Sequence, residues 1–451
     1  MLVSWLFLLA SLWGGWFTYN AFWPIRDRRR GSVLSFFAGW PTAEFALHHL
    51  VWQVAATLVF AALGAFEYWP GQLGFGLCLV SWYGLVLCYG RHGEAGTAVE
   101  KALRESLGED YEKQIRAEFR AKFSRGIPWK RLVFPFPVVP RDVERIRDIP
   151  YARAAGLQLK LDVYRPRWRP EGCPTLLQIH GGAWIVGSKN EQGLPLMTHL
   201  ASHGWVCVAA NYRLSPHATF PDHLVDLKRA IRWIREQGPA YGADPEFLVV
   251  TGGSAGGHLA ALVALTANDP EYQPGFENVD TRVRAAVPFY GVYDFRNRFG
   301  HWRHDGLAEL LERQVLKAAP EENPEAYRKA SPIDRIHPDA PPFFVIHGDL
   351  DTLVPVDDAR RFVEELRKVS RNPVVYAEIP GAQHAFDMFY SWRTSLVVEG
   401  VERFLTWVYS RYLEERATEG ARANTGEART AHAELTPTLR RETEAFLLLR
   451  C

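Results

Sequence analysis

The chain has 451 residues, with 52 Lys plus Arg against 51 Asp plus Glu and a formal net charge of +1. That balance argues against nucleic-acid binding, which uses a basic excess, and an apolar fraction of 47% with 23% charged residues excludes a wholly disordered or fibrous chain. Five Cys are too few for a disulfide scaffold, and none stands in a C-x-x-C or Cys/His zinc spacing.

Three uncharged runs fill the start of the chain, 1–25, 45–66 and 73–90. A helix rises 1.5 Å per residue, so runs of this length reach about 27–37 Å, enough for the hydrocarbon core of a bilayer. Residues 1–90 are therefore predicted to form three transmembrane helices. Two spans plus an interfacial helix is one rival. A cleaved signal peptide is another, but residues 1–5 hold no basic side chain for its n-region. The first loop carries Arg26, Arg28, Arg29 and Arg30, the second carries no Lys or Arg, and Arg91, Lys101 and Arg104 follow the third run. The positive-inside rule then puts loop 26–44 and everything past Arg91 in the cytoplasm, on a multi-pass protein of a bacterial inner membrane. His48, His49 and Gln53 fall inside the second run, with the two His close to its cytoplasmic end.

Residues 91–140 read as charged amphipathic helices and a Pro-bearing linker over 134–140. From 141 to 413, short apolar runs alternate with helical patterns. The runs are 157–164, 175–180, 205–211, 247–251, 283–290, 342–347 and 374–379, and the helices include 223–236, 256–267 and 357–369. That alternation predicts an α/β domain with a mostly parallel, doubly wound sheet. The stretch 291–340 is long enough to carry an inserted helix or two. Residues 416–436 hold almost no large apolar side chain, so 414–451 is predicted to be a largely disordered tail.

The chemistry is carried by loops that follow predicted strands. Gly252-Gly253-Ser254-Ala255-Gly256 fits G-x-S-x-G between a strand and a helix. Such a turn holds a Ser hydroxyl proud of the sheet as a nucleophile. By itself the pentapeptide could be an ordinary Gly-rich turn. Upstream, His180-Gly181-Gly182-Ala183-Trp184 offers small residues whose backbone N–H groups can meet an oxyanion. Gly181, Gly182, Ala183 and Ala255 are the candidate hole, Trp184 a candidate pocket wall, and His180 a brace. Asp351 and His384 follow Ser254 in the order acid then base, each after a strand, with Asp349 and Asp294 as less favoured acids. His301 and His304 have a metal-pair spacing, but no third ligand is near them in sequence, and no metal is assigned.

This set resembles the α/β-hydrolases, most closely the hormone-sensitive-lipase-like branch of bacterial esterases and lipases. The stretch 178–211, Ala210-Asn211-Tyr212-Arg213-Leu214-Ser215-Pro216 and Tyr241-Gly242-Ala243-Asp244-Pro245 all look like that branch. The resemblance covers about 145–410. It implies a carboxylic ester hydrolase that uses Ser254, His384 and Asp351 and needs no cofactor or metal. The implied substrate is a small-molecule or lipid ester; the uncharged runs add the membrane as a partner, and the charge balance leaves out nucleic acid. Gly253 stands where the branch most often has Asp, and His347-Gly348-Asp349-Leu350-Asp351 is closer to prolyl-oligopeptidase-like and kynurenine-formamidase-like relatives. An amide-cleaving hydrolase is thus the alternative activity. A prenylcysteine-methylesterase-like enzyme is a narrower one, since that family also joins membrane helices to such a domain.

Overall fold

The computed structural model describes residues 1–123, 129–136 and 138–447, with side chains described as far as Glu419. Pro137 of the predicted linker and the last four residues of the tail lie outside the described residues.

The N-terminal region is helical: α1 (Leu2–Asn20), α2 (Arg29–Glu44), α3 (Ala46–Ala62), α4 (Trp69–Gly90) and α5 (His92–Leu107). Two helical stretches, Leu2–Asn20 and Trp69–Leu107, are long and apolar enough to cross a membrane, and α2 and α3 together make a pair bent by 93°. Leu9, Leu12, Trp13, Val51, Val80 and Tyr83 point outward from this bundle. Three of its polar side chains are turned inward and pair with one another. Thr18 and Ser81 hydroxyls meet at 2.8 Å, and Ser81 donates to Gln53 Oε1 at 2.9 Å.

Most of 26–44 is a helix rather than the expected loop. Ser35 donates to Asn20 Oδ1 at 2.6 Å, which folds α2 back beneath α1. Phe36 of α2 is buried in the same core as strand residues of the α/β domain, with Trp40 packed against it. At its end, Glu44 is fully buried against Arg393 and accepts from Ser391 Oγ at 2.7 Å.

Eight strands form one sheet in the order β1-β2-β4-β3-β5-β6-β7-β8. They are β1 (Val143–Ala154), β2 (Leu157–Pro166), β3 (Cys173–Ile179), β4 (Val206–Ala210), β5 (Ala243–Gly253), β6 (Ala285–Phe289), β7 (Phe343–Gly348) and β8 (Val374–Ile379). β1 and β2 run antiparallel to their neighbours, and the pairs from β4 to β8 are parallel. The central strands are apolar on both faces because helices cover both. Successive residues feed opposite cores: Leu177 and Val250 join one, Leu176 and Val249 the other. The first core takes α7 (Asp222–Gln237), α8 (Ala255–Leu265) and α9 (Val356–Val369). The second takes α5, α6 (Leu194–Ser202) and α10 (Trp392–Leu447).

β1 was not anticipated. Its polar sequence, Pro150 and two register shifts belong to an edge strand with one half-covered face. The inserted stretch does hold short helices, Gly306–Leu310 and Pro324–Ala330. The backbone of α10 runs on to Leu447, where a disordered tail was expected from 414. The Ala-, Glu- and Arg-rich composition there favours helix. Glu414 to Glu419 are exposed, and among the described side chains the helix's last core contacts are Tyr412 and Leu413.

Candidate active site

Ser254 joins β5 to α8 with φ 59° and ψ −122°, a conformation that costs a non-Gly residue energy and lifts its side chain off the strand. Its N–H is held by Phe289 O at 3.0 Å. The 180–184 loop lies directly against this elbow. A Cβ on Gly181 would stand 2.5 Å from Gly253 O and 3.1 Å from Ser254 Cβ, so no side chain fits there.

Within that loop, Gly181 drops out as an oxyanion donor. Its N–H is already committed to Gln192 Oε1 at 2.6 Å. The N–H groups of Gly182 and Ala183 have no protein acceptor among the described residues. Gly182 has φ 109° and Ala183 φ 53°, so the Ala at the third position does adopt the left-handed backbone that its Cβ disfavours. Ala255 opens α8 beside Ser254, where a helix N-terminus presents unpaired N–H groups. His180 stacks on Tyr212 at 4.4 Å and its Nδ1 contacts Gly181 O at 2.8 Å, which fits a brace.

The candidate acid and base come from the loops after β7 and β8. His384 Nδ1 is 2.7 Å from Asp351 Oδ2, with both side chains buried. Burial alone would raise the Asp351 carboxyl. The charge of His384 and the hydrogen bonds from His347 and His384 outweigh it and hold the acid well below the usual carboxylate range. Leu353 and Val354 N–H groups also donate to Asp351 Oδ1 at 2.8 and 2.9 Å. Asp349 does not face His384; its Oδ1 accepts from Gly381 N at 2.7 Å and so ties the two loops together. Asp294 accepts from Arg298 N at 2.8 Å and caps its own turn.

Several residues that the sequence did not flag complete the site. Gln383 Oε1 accepts from Thr352 N at 2.7 Å and His384 N at 2.9 Å, clamping the acid loop to the base loop. Tyr290 bridges base and elbow. Its ring centroid lies 4.6 Å from that of His384, its hydroxyl donates to the buried Asp387, and a Cβ on Gly253 would stand 2.6 Å from that hydroxyl. Gly253 is therefore the one residue small enough to sit beneath Tyr290. Phe36 of α2 sets its ring edge-on to His384 at 6.1 Å, and Thr352 donates to Ser32 O at 3.0 Å. The two α2 contacts had no local sequence signal, because they join positions hundreds of residues apart.

Trp184 is not at the surface of a pocket. It is 2% exposed, donates its Nε1–H to His258 Nδ1 at 3.1 Å and packs edge-on to Phe295. A cleft opens beside the acid instead, lined by Arg26, Trp302, His304, Leu307, Asp351 and Leu353 among others. His304 is tied to Ser32 at 3.1 Å and His301 stacks on Phe299, so the two do not face a shared ion.

A family model described as BD-FAE matches residues 161–366. The chain is 43% identical over 417 residues to the probable carboxylic ester hydrolase LipM of Mycobacterium tuberculosis, covering 87% of this chain and 91% of that one. It is 46% identical over 271 residues to the esterase LipQ of the same organism, covering 60% of this chain and 64% of LipQ. Among solved structures, a truncated carbohydrate esterase from gut microbiota aligns with a TM-score of 0.50 at 23% identity, over 58% of this chain and 96% of that one. That likeness speaks to the fold.

Proposed function

Because this chain belongs to the hormone-sensitive-lipase-like α/β-hydrolases and is a carboxylic ester hydrolase, we propose that it cleaves esters through Ser254, His384 and Asp351. The buried 2.7 Å contact between His384 Nδ1 and Asp351 Oδ2 carries this reading. It fixes the tautomer that leaves Nε2 free to take the Ser254 proton. Ser254 Oγ then attacks the acyl carbonyl. The carbonyl electrons move onto oxygen, where the N–H groups of Gly182, Ala183 and Ala255 receive the charge. His384 returns the proton to the departing alkoxide, which leaves as the alcohol. Water, deprotonated by the same imidazole, releases the acid from the acyl-enzyme.

The same reading makes the enzyme a membrane-anchored one. α1, α3 and α4 cross the bilayer, and α2 lies along the inner surface between the membrane and the hydrolase domain. The packing of α2 on that domain supports this, since it keeps Arg28, Arg29 and Arg30 on the domain's side, the cytoplasmic side by the positive-inside rule. A lipid-soluble ester would reach the cleft without leaving the bilayer surface.

Activity of the detergent-solubilised protein on short-chain p-nitrophenyl esters and on matching aryl amides tests the reading. Ester turnover should dominate, and Ser254→Ala should lower kcat by roughly 10⁴-fold or more. Full ester turnover in Ser254→Ala, or amide turnover exceeding ester turnover, contradicts it.

A further inference from the structure

A second cluster lies on the face of the sheet covered by α6 and α10. His199 is in the last turn of α6 and His203 is its C-terminal cap residue. Residues four apart on a helix share a face. Both imidazoles turn toward Glu402 of α10. His199 Nε2 is 2.7 Å from Glu402 Oε2, and His203 Nδ1 contacts Oε1. The ligand atoms of the three residues all lie within 4.8 Å of one another. The Glu402 side chain is only 4% exposed, and its two neighbours are 13% and 20% exposed. The carboxylate is thus deep and the imidazoles line the way out.

A cavity of about 300 Å³ borders the cluster, lined by His199, Ser202, His203 and Glu399 among others. Ser202 Oγ is buried there without a hydrogen-bond partner. The cavity leaves room for a fourth ligand, either water or the Glu399 carboxylate one helical turn before Glu402.

We propose that His199, His203 and Glu402 form a binding site for a divalent cation of the zinc type, which clips α6 to α10. Two imidazole nitrogens and a carboxylate oxygen are a donor set that zinc takes, at about 2.0–2.2 Å from each atom, which puts tetrahedral ligand atoms roughly 3.4 Å apart. The present contacts need open by less than about 1 Å to admit the ion, within the reach of side-chain rotation. The hydrogen bonds of these imidazoles run to Glu402 and not to Ser254, Asp351 or His384, so the ion is a structural one and is independent of the ester chemistry.

The test uses the full-length protein, purified without a polyhistidine tag, stripped with EDTA and titrated with zinc chloride. One tightly bound zinc per chain should appear by calorimetry and by elemental analysis, with a rise in Tm of several degrees. His199→Ala and His203→Asn should each weaken binding by at least 10-fold and abolish the Tm rise. Both should keep fluorophosphonate labelling at the wild-type level, which certifies their fold. Absence of stoichiometric zinc on the wild-type protein overturns the proposal, as does unchanged zinc binding in the two labelled variants.

Discussion

Asp349 and Asp351 stand two residues apart in one loop yet have different tasks. Asp351 faces His384, while Asp349 receives the Gly381 N–H. Asp351→Asn should cost on the order of 10⁴ in kcat by favouring the wrong imidazole tautomer. Asp349→Asn keeps an acceptor for Gly381 and should cost less than about 10-fold. Steady-state kinetics of the two variants on one ester check the ranking, and the reverse order would move the acid to Asp349. His258 carries a second prediction. Burial pushes its imidazole down to about 3, outweighing the hydrogen bond to Ala330 O, which favours the protonated ring; Nδ1 accepts from Trp184 Nε1–H. Between the ordinary value of 6.5 and about 3, the unfolded chain binds the extra proton, so this group's stability is present above 6.5 and falls as pH falls. Acidifying from pH 6.5 to 5 should remove up to about 2 kcal/mol through this residue. The stability advantage of wild type over His258→Gln, measured by denaturant unfolding, should therefore shrink at pH 5 relative to pH 7.5. An advantage independent of pH would show that His258 is not held neutral.

The elements differ in how far their residues announced them. β3, β5, β7 and β8 were readable because parallel strands buried on both faces are continuous apolar runs. The elbow and the Asp351 and His384 loops were readable because each directly follows such a run. β1 was not, since an edge strand is half polar. α2 was not, since its apolar residues Phe36 and Trp40 bury against partners far away in sequence. Trp184 misled for a related reason: an aromatic beside a glycine loop suggests a pocket wall, but only the fold shows its N–H satisfied inside by His258. α2 is held at its far end by the buried Glu44–Arg393 pair. Glu44→Ala leaves a buried guanidinium unpaired and should destabilise the protein by about 3–5 kcal/mol. The double change Glu44→Leu with Arg393→Met removes both charges and should lose clearly less. Thermal unfolding in detergent checks both, and equal losses would mean that the pair itself is not what anchors α2.

Taken together, the helices at the start of the chain and the hydrolase domain share one packing arrangement, with α2 between them and Phe36 against His384. The N-terminal helices are thus part of the site's surroundings. Replacing Arg26, Arg28, Arg29 and Arg30 with neutral residues should randomise or invert the orientation of the domain, whereas changing Arg313 or Lys317 should not. Reporter fusions after Leu413 read this directly: green fluorescence marks a cytoplasmic domain, and alkaline phosphatase activity an external one. The central claim is that Ser254 is the acyl-accepting nucleophile. It is met most directly by treating the solubilised enzyme with a fluorophosphonate and mapping the adduct by peptide mass spectrometry. A single phosphonylated peptide with the modification on Ser254, absent from Ser254→Ala and much slower to form in Asp351→Asn, is the predicted result. An adduct on another residue, or labelling that persists in Ser254→Ala, would contradict it.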